Sequence, residues 1–280
     1  AAFEKMGDDE INPENNRAYN GVRALDAVWA WGSLCWPTLK SFGGSVVNEN
    51  GEVDFNNEEN IAAATYLREL IKDKLTFGTG SSMHAQFTNQ MTVLCIETRS
   101  VLTNLIDRSN PNLLAVKPED LGVAPMPSVG NDENYAIGSG CSGYAMYRYA
   151  QHPTEAWLFL KFMASEAGQN AFCATGNGVP SVRSLLNDEA ASWRAYESEA
   201  FGTAFDNDAF VYGLGTENAP FASTRDFFRY IPVAAQTDVL TCLRSCFTII
   251  DAEDNSDATI RQQISNQSEL INYYVNQAKK

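Results

Sequence analysis

The stretch Gly138 to Gln169, GSGCSGYAMYRYAQHPTEAWLFLKFMASEAGQ, constrains the fold more than any other part of the sequence. A glycine-serine loop runs into a short apolar strand, Tyr144 to Tyr147. A helix then starts at Pro153, where the missing N–H of proline costs nothing, with His152 at the cap. From Ala156 to Ala164 the side chains are apolar nearly all round the helix, which predicts a buried helix. A second helix opens at Ser165.

The rest of the chain is read around that segment. At 280 residues it can bury one large core or two modest ones. A hydrophobic share of 44% with 20% charged residues is that of an ordinary globular protein. No apolar run reaches the ~18 residues needed to span a bilayer. The start, AAFEKMGDDE, is neither basic nor apolar, so no signal segment is expected in it. The net charge of −15 repels phosphate backbones and argues against nucleic-acid binding. Six cysteines (Cys35, Cys95, Cys141, Cys173, Cys242, Cys246) form no C-x-x-C pair, and His84 and His152 are the only histidines. A zinc site therefore has little support, and buried free thiols are expected. No Ser-His-Asp set is recognisable, and GTGSS at Gly78 lacks the Gly-Lys-Ser/Thr of a phosphate loop.

Residues 1–22 are polar and acidic and read as a lead-in. The following segment reads as mostly helical, with Trp29, Leu34, Leu39 and Phe42 at helical positions and Gly43-Gly44 as its stop. Ser45 to Phe55 reads as a hairpin around Asn50-Gly51. An amphipathic helix to Lys74 follows, with Ile61, Ala64, Leu67, Leu70 and Ile71 on one face and Asn57 as cap. A helix is expected near Met83 to Asn89, a strand at Thr92 to Ile96, a helix over Ser100 to Arg108, and a short strand at Leu121 to Pro125. Gly176 to Pro180 is a turn. Helices are expected over about 185–200, 204–212, 224–246 and 256–278.

Five motifs occur in order. They are CWPTLKSFGGSVVNENGEVDF from Cys35, FTNQMTVL from Phe87, GVAPMP from Gly122, the Gly138 to Gln169 segment, and NGVPSVR from Asn177. Together they resemble the extracellular solute-binding proteins of ABC importers, family 1, the sugar-binding kind, and come near its maltodextrin-binding members. The chain departs from the family at Gln90, where glycine is usual, and at Val93-Leu94, where Ala-Met is usual. The resemblance implies a helix-rich α/β fold, periplasmic-binding-protein-like type II, with ligand held in a cleft between two lobes. It also implies that most of the N-terminal lobe is missing. On that view residues 23–215 form the second lobe, and 216–280 are C-terminal helices that normally return to the first. The chain reads as a truncated piece of a receptor, and half a cleft is expected to bind sugar weakly or not at all.

A sugar cleft wants aromatic platforms rimmed by amides, carboxylates and arginine. By the resemblance, Trp29, Trp31 and Ser33 are cleft candidates, while Trp36 is assigned to the core. Glu97, Thr98, Arg99 and Ser100 follow a strand expected to end at the cleft. Arg99 either clamps hydroxyls or an anionic group, or forms a structural salt bridge with Glu97 or a neighbour. Gly138, Ser139 and Gly140 would let backbone N–H groups approach a ligand, and Glu217 and Asn218 are polar candidates nearer the hinge. The implied partners are a sugar or oligosaccharide and ABC permease subunits. The implied location is extracytoplasmic, with membrane association only through a lipid anchor, and the full-length form is expected to be a monomer. No cofactor, metal or catalytic residue is expected. The alternatives are a carbohydrate-active enzyme domain with paired carboxylates, or an interaction fragment without ligand.

Overall fold

The computed structural model describes residues 23–77, 85–89, 91–105, 117–127, 136–138, 143–202, 205–212, 222–223, 227–250 and 256–280. The lead-in 1–22 and the candidates Ser139, Gly140, Glu217 and Asn218 lie outside the described residues. In chain order the elements are β1 (Arg23–Asp26), α1 (Gly32–Ser41), α2 (Glu58–Lys72), α3 (Ala85–Thr88), β2 (Thr92–Cys95), α4 (Leu102–Leu105), β3 (Ala136–Ile137), α5 (Pro153–Met163), α6 (Glu166–Cys173), α7 (Arg183–Leu186), α8 (Tyr196–Phe201), β4 (Ala222–Ser223), α9 (Gln236–Ile250) and α10 (Asp257–Ala278). Among the described residues the fold is helix-rich, with two short parallel strand pairs, β1 with β2 and β3 with β4.

The chain divides into two compact units, and not at residue 215. The first takes in residues 1–96, 127–139 and 221–280; the second takes in 97–126 and 140–220. The C-terminal helices α9 and α10 therefore belong with α1 and α2 rather than standing apart from residues 23–215.

The first unit is built on an amphipathic stripe. Ile260, Ile264, Gln267, Ile271 and Val275 recur at three- and four-residue spacing along α10 and are all buried. They share the core with Leu67 of α2 and with Val239, Leu243 and Phe247 of α9. Each such side chain stabilises the fold by about 1.5–3 kcal/mol on burial. Asn57 caps α2 as expected, its side chain accepting from Asn60 N–H at 2.7 Å. Asn60 in turn donates to the carbonyls of Ser45 and Phe55, which ties the hairpin to the helix. That hairpin forms around Gly51 (φ +73°), with a single bridge, Val47 to Val53. Burial pushes the thiols of Cys35 and Cys246 up to about 12, so both are inert at neutral pH. Cys35, Cys173, Cys242 and Cys246 are buried free thiols, and Cys95 is half-buried; Cys141 is outside the described residues.

Among its described residues the second unit holds helices, turns and extended segments, and no strand. Its core gathers Cys173, Leu185, Ala191 and Trp193, with Phe172, Val179, Val182 and Val211 around them. Five expectations change here. The segments Tyr144 to Tyr147 and Leu121 to Pro125 pair with no strand among the described residues. The helix expected over 185–200 is broken: Asp188 accepts from Ala190 N–H at 2.9 Å, and this local turn competes with the helical ladder. Among the described residues 205–212 the helix expected there is a short 3₁₀ turn, Asn207–Phe210. Most notably, α5 is not buried. Only Met163 is fully covered, and Trp157, Leu158, Phe159 and Phe162 are all more than half exposed. Apolar composition alone cannot say whether a covering element is present. In the first unit, Pro232 splits the helix expected over 224–246, leaving α9 to start at Gln236.

Candidate functional site

The aromatic segment at the start of α1 divides its residues between the interior and the surface. Trp29 is 4% exposed, and its indole N–H donates to Thr76 Oγ at 3.3 Å. It is a core residue, which corrects its place among the ligand candidates. Two residues on, the chain turns: Trp31 N–H donates to Val28 C=O at 2.8 Å. The Trp31 carbonyl then accepts from Leu34 and Cys35, both at 2.9 Å, and starts α1. Trp31 is thus the N-cap residue, its backbone fixed and the residue as a whole half-buried. Trp36, one helical turn further, packs edge-on against Phe227 at 6.3 Å in the core.

Ser33 and Gly138 meet at this corner. Pro37 has no N–H, so the Ser33 carbonyl lacks its helical partner four residues on. That carbonyl oxygen points at Gly138, where an added Cβ would collide with it. Gly138 therefore serves a close approach, but of its own backbone to α1. Gly138→Ala is expected to destabilise the first unit by about 1–3 kcal/mol, read as a lower urea midpoint with an unchanged slope. An unchanged midpoint would show that the corner can relax.

Sequence reasoning missed Arg244. It lies on the exposed side of α9, and its Nε–H donates to the carbonyl of Ala30 at 3.1 Å, bracing the turn that carries Trp31. The available signal was a single basic residue, Arg244, within TDVLTCLRSCF. Leu240, one turn earlier, packs against Gly32.

In the second unit the segment after β2 behaves differently. Arg99 is 3% exposed and pairs with Glu197, 1% exposed, at 2.8 Å. It also donates to the carbonyls of Gly178 (2.6 Å), Trp193 (2.7 Å) and Cys173 (3.2 Å). The rings of Trp193 and Tyr196 stack on the guanidinium. Burial pulls its pKa below the usual arginine value, and Glu197 opposes that. A structural salt bridge forms, but not with Glu97 or a neighbour as expected: the partner, Glu197, lies ninety-eight residues away. The neighbouring Thr98 is exposed and Ser100 half-buried, and their hydroxyls bond each other at 2.9 Å. Thr98 N–H donates to the Glu97 side chain at 3.2 Å.

No group of three metal-ligating side chains occurs among the described residues. A surface depression lined by Asn56, Glu58, Arg261 and Gln262 is occupied by a bidentate Glu58–Arg261 pair, at 2.7 and 2.8 Å. The pair satisfies its own charges, which lowers the Glu58 pKa and raises that of Arg261.

Residues 2–198 match the family of bacterial extracellular solute-binding proteins. The chain belongs to that family. A curated relative, the maltodextrin-binding protein MdxE of Bacillus subtilis, is 24% identical over 158 residues, which cover 55% of this chain and 37% of MdxE. The maltose-bound MalE3 of T. maritima superposes with a TM-score of 0.60 at 20% identity, covering 97% of this chain and 68% of that one. The Listeria monocytogenes ABC substrate-binding protein Lmo0181, solved with cycloalternan, gives 0.60 at 16% identity, covering 92% and 60%. The MalE of Xanthomonas citri gives 0.59 at 14%, covering 90% and 58%. The fold is that of the periplasmic binding proteins, and the chain spans little more than a third of the curated relative's length. Among the described residues no helix is long and apolar enough to cross a membrane.

Proposed function

We propose that this chain is part of the substrate-capture subunit of an ABC importer, which takes up a sugar or oligosaccharide outside the cytoplasm and hands it to the permease. No bond in the ligand is broken. The observation that carries this reading is the half-buried Trp31 on a braced helix start, in a chain whose family captures solutes. A flat aromatic surface on a rigid backbone suits the apolar face of a pyranose. Ser33 beside it, and the first-turn N–H groups of α1, suit hydroxyl oxygens. Delivery would follow from a shift between open and closed populations of the whole protein. The maltodextrin, maltose and cycloalternan named with its relatives make glucose oligomers the first ligands to try.

The test is a titration of the 280-residue chain with maltose, maltotriose and longer glucose oligomers, followed by backbone and indole NMR shifts. The expected result is saturable binding weaker than micromolar, because this piece offers only part of the enclosing surface. If none of these sugars, nor a wider oligosaccharide panel, moves any resonance near Trp31 and Ser33, the sugar reading fails. Tight binding, micromolar or better, would show instead that this piece encloses its ligand unaided.

A further inference from the structure

Asn-Gly occurs three times in the sequence. It is the pair in which a backbone nitrogen most readily attacks the side-chain carbonyl before it, because glycine has no Cβ to shield that nitrogen. Asn20-Gly21 lies outside the described residues, while Asn50-Gly51 and Asn177-Gly178 sit in turns of the first and second units. Asn50 and Asn177 are both exposed. Both glycines also have open space around them. A Cβ added at Gly178 would meet nothing within 4 Å, and one added at Gly51 only Lys279 Nζ, at 3.8 Å. Access therefore does not separate the two sites, and what separates them is how each turn is anchored.

The turn at Asn177 is tied to the interior. Its side-chain amide donates to Thr175 Oγ1 at 2.8 Å, and Thr175 donates in turn to Phe172 C=O at 2.7 Å. The Gly178 carbonyl is held at 2.6 Å by the buried Arg99, and Gly176 is itself buried against the Tyr196 ring. Bringing the Gly178 nitrogen onto the Asn177 side chain means breaking bonds rooted in the core of the second unit. At the hairpin tip the anchors are local. The Asn50 side chain has no partner among the described residues. The Asn48 carbonyl accepts from Gly51 N–H at 2.9 Å, and its side-chain oxygen accepts from Asn50 and Glu52 N–H, both at 3.0 Å. The Gly51 carbonyl accepts from Lys279 Nζ at 2.7 Å, the end of an exposed side chain. Such solvent-facing bonds contribute about 0.5–1.5 kcal/mol each, so the tip opens at low cost.

We propose that Asn50 is a modification site: in the folded protein it deamidates through a succinimide, while Asn177 is protected by its anchored turn. Gly51 N gives its proton to hydroxide and bonds to Asn50 Cγ. The bond from Cγ to the side-chain nitrogen then breaks, and ammonia leaves. Water opens the ring at either carbonyl, leaving aspartate or isoaspartate at position 50, and nothing is oxidised or reduced. Each product adds one negative charge beside Lys279, at a tip that already carries Glu49 and Glu52. The isoaspartate form also lengthens the backbone of the tip by one methylene. The reaction is independent of which solute is bound, and its test uses no sugar. The 280-residue chain is kept warm for some days at mildly alkaline pH, folded and in concentrated urea, and its peptides are then weighed. Each conversion adds about 1 Da, and isoaspartate is identified with its methyltransferase. In urea the two sites should convert at similar rates. In the folded chain Asn50 should stay within about tenfold of its urea rate, whereas Asn177 should slow by about a hundredfold or more. The N50Q variant should abolish the mass gain of the hairpin peptide, which also contains Asn48. Equal rates at Asn50 and Asn177 in the folded chain overturn the proposal. So does a mass gain that persists in N50Q, since another asparagine is then the one that reacts.

Discussion

Arg99→Met is expected to lower the stability of the second unit by about 3–5 kcal/mol, the cost of leaving a buried charge without its partner. The expectation sits at the upper end because Arg99 does several jobs at once. Its guanidinium neutralises Glu197 and satisfies the carbonyls of Cys173, Gly178 and Trp193. Gly178 and Gly176, both at positive φ, shape the turn whose carbonyl it holds, and Trp193, fully buried, packs under it with its own N–H on Leu185 C=O at 2.9 Å. Removing the cation leaves the Glu197 side chain at 1% exposure with, among the described residues, Asn207 Nδ2 donating to it at 3.4 Å. The double variant R99M/E197M should recover much of the loss, because it removes both charges together. Urea unfolding of the wild type, the two single variants and the double variant measures this directly. An R99M chain with wild-type stability but lost sugar binding would reinstate the ligand-clamp reading.

That comparison marks where sequence reasoning reached its limit. Local features were legible because they rest on local chemistry: the Asn57 cap, the glycine turn at Gly51, the proline start of α5 and the helix over 256–278 all follow from neighbours within one or two turns. The family was legible because it is written in ordered short motifs. Arg99 was ambiguous because its partner, Glu197, is far away in sequence, and no periodicity announces such a pair. The position of α5 was misread for a related reason. An all-round apolar helix declares that it needs cover, but the covering surface is a tertiary fact. Trp29 and Trp31, two residues apart, differ only in which side of a turn they fall on, and the turn is set by the hydrogen bond from Trp31 to Val28. Arg244 stayed hidden because its contact with Ala30 joins residues at opposite ends of the chain.

Trp31→Ala is expected to weaken sugar binding by about ten- to hundredfold, while Trp36→Phe, a core change, should alter stability more than affinity. The loss corresponds to about 1–3 kcal/mol, the worth of an aromatic platform and the apolar area it removes from water. The backbone of Trp31 should survive the change: the turn is held by its amide and carbonyl and braced by Arg244, none of which needs the ring. A selective spectroscopic reading supports the assignment. In a sugar titration the indole N–H resonance of Trp31 should move, whereas those of Trp29 and Trp193, hydrogen-bonded to Thr76 and Leu185 in the interior, should stay still. Arg244→Ala should produce a smaller loss of affinity with an increase in the mobility of residues 28–31, because it acts on the platform through Ala30. If W31A binds as the wild type does and the Trp31 indole resonance is unmoved at saturation, then the platform lies elsewhere, and the exposed Thr98 becomes the next position to examine.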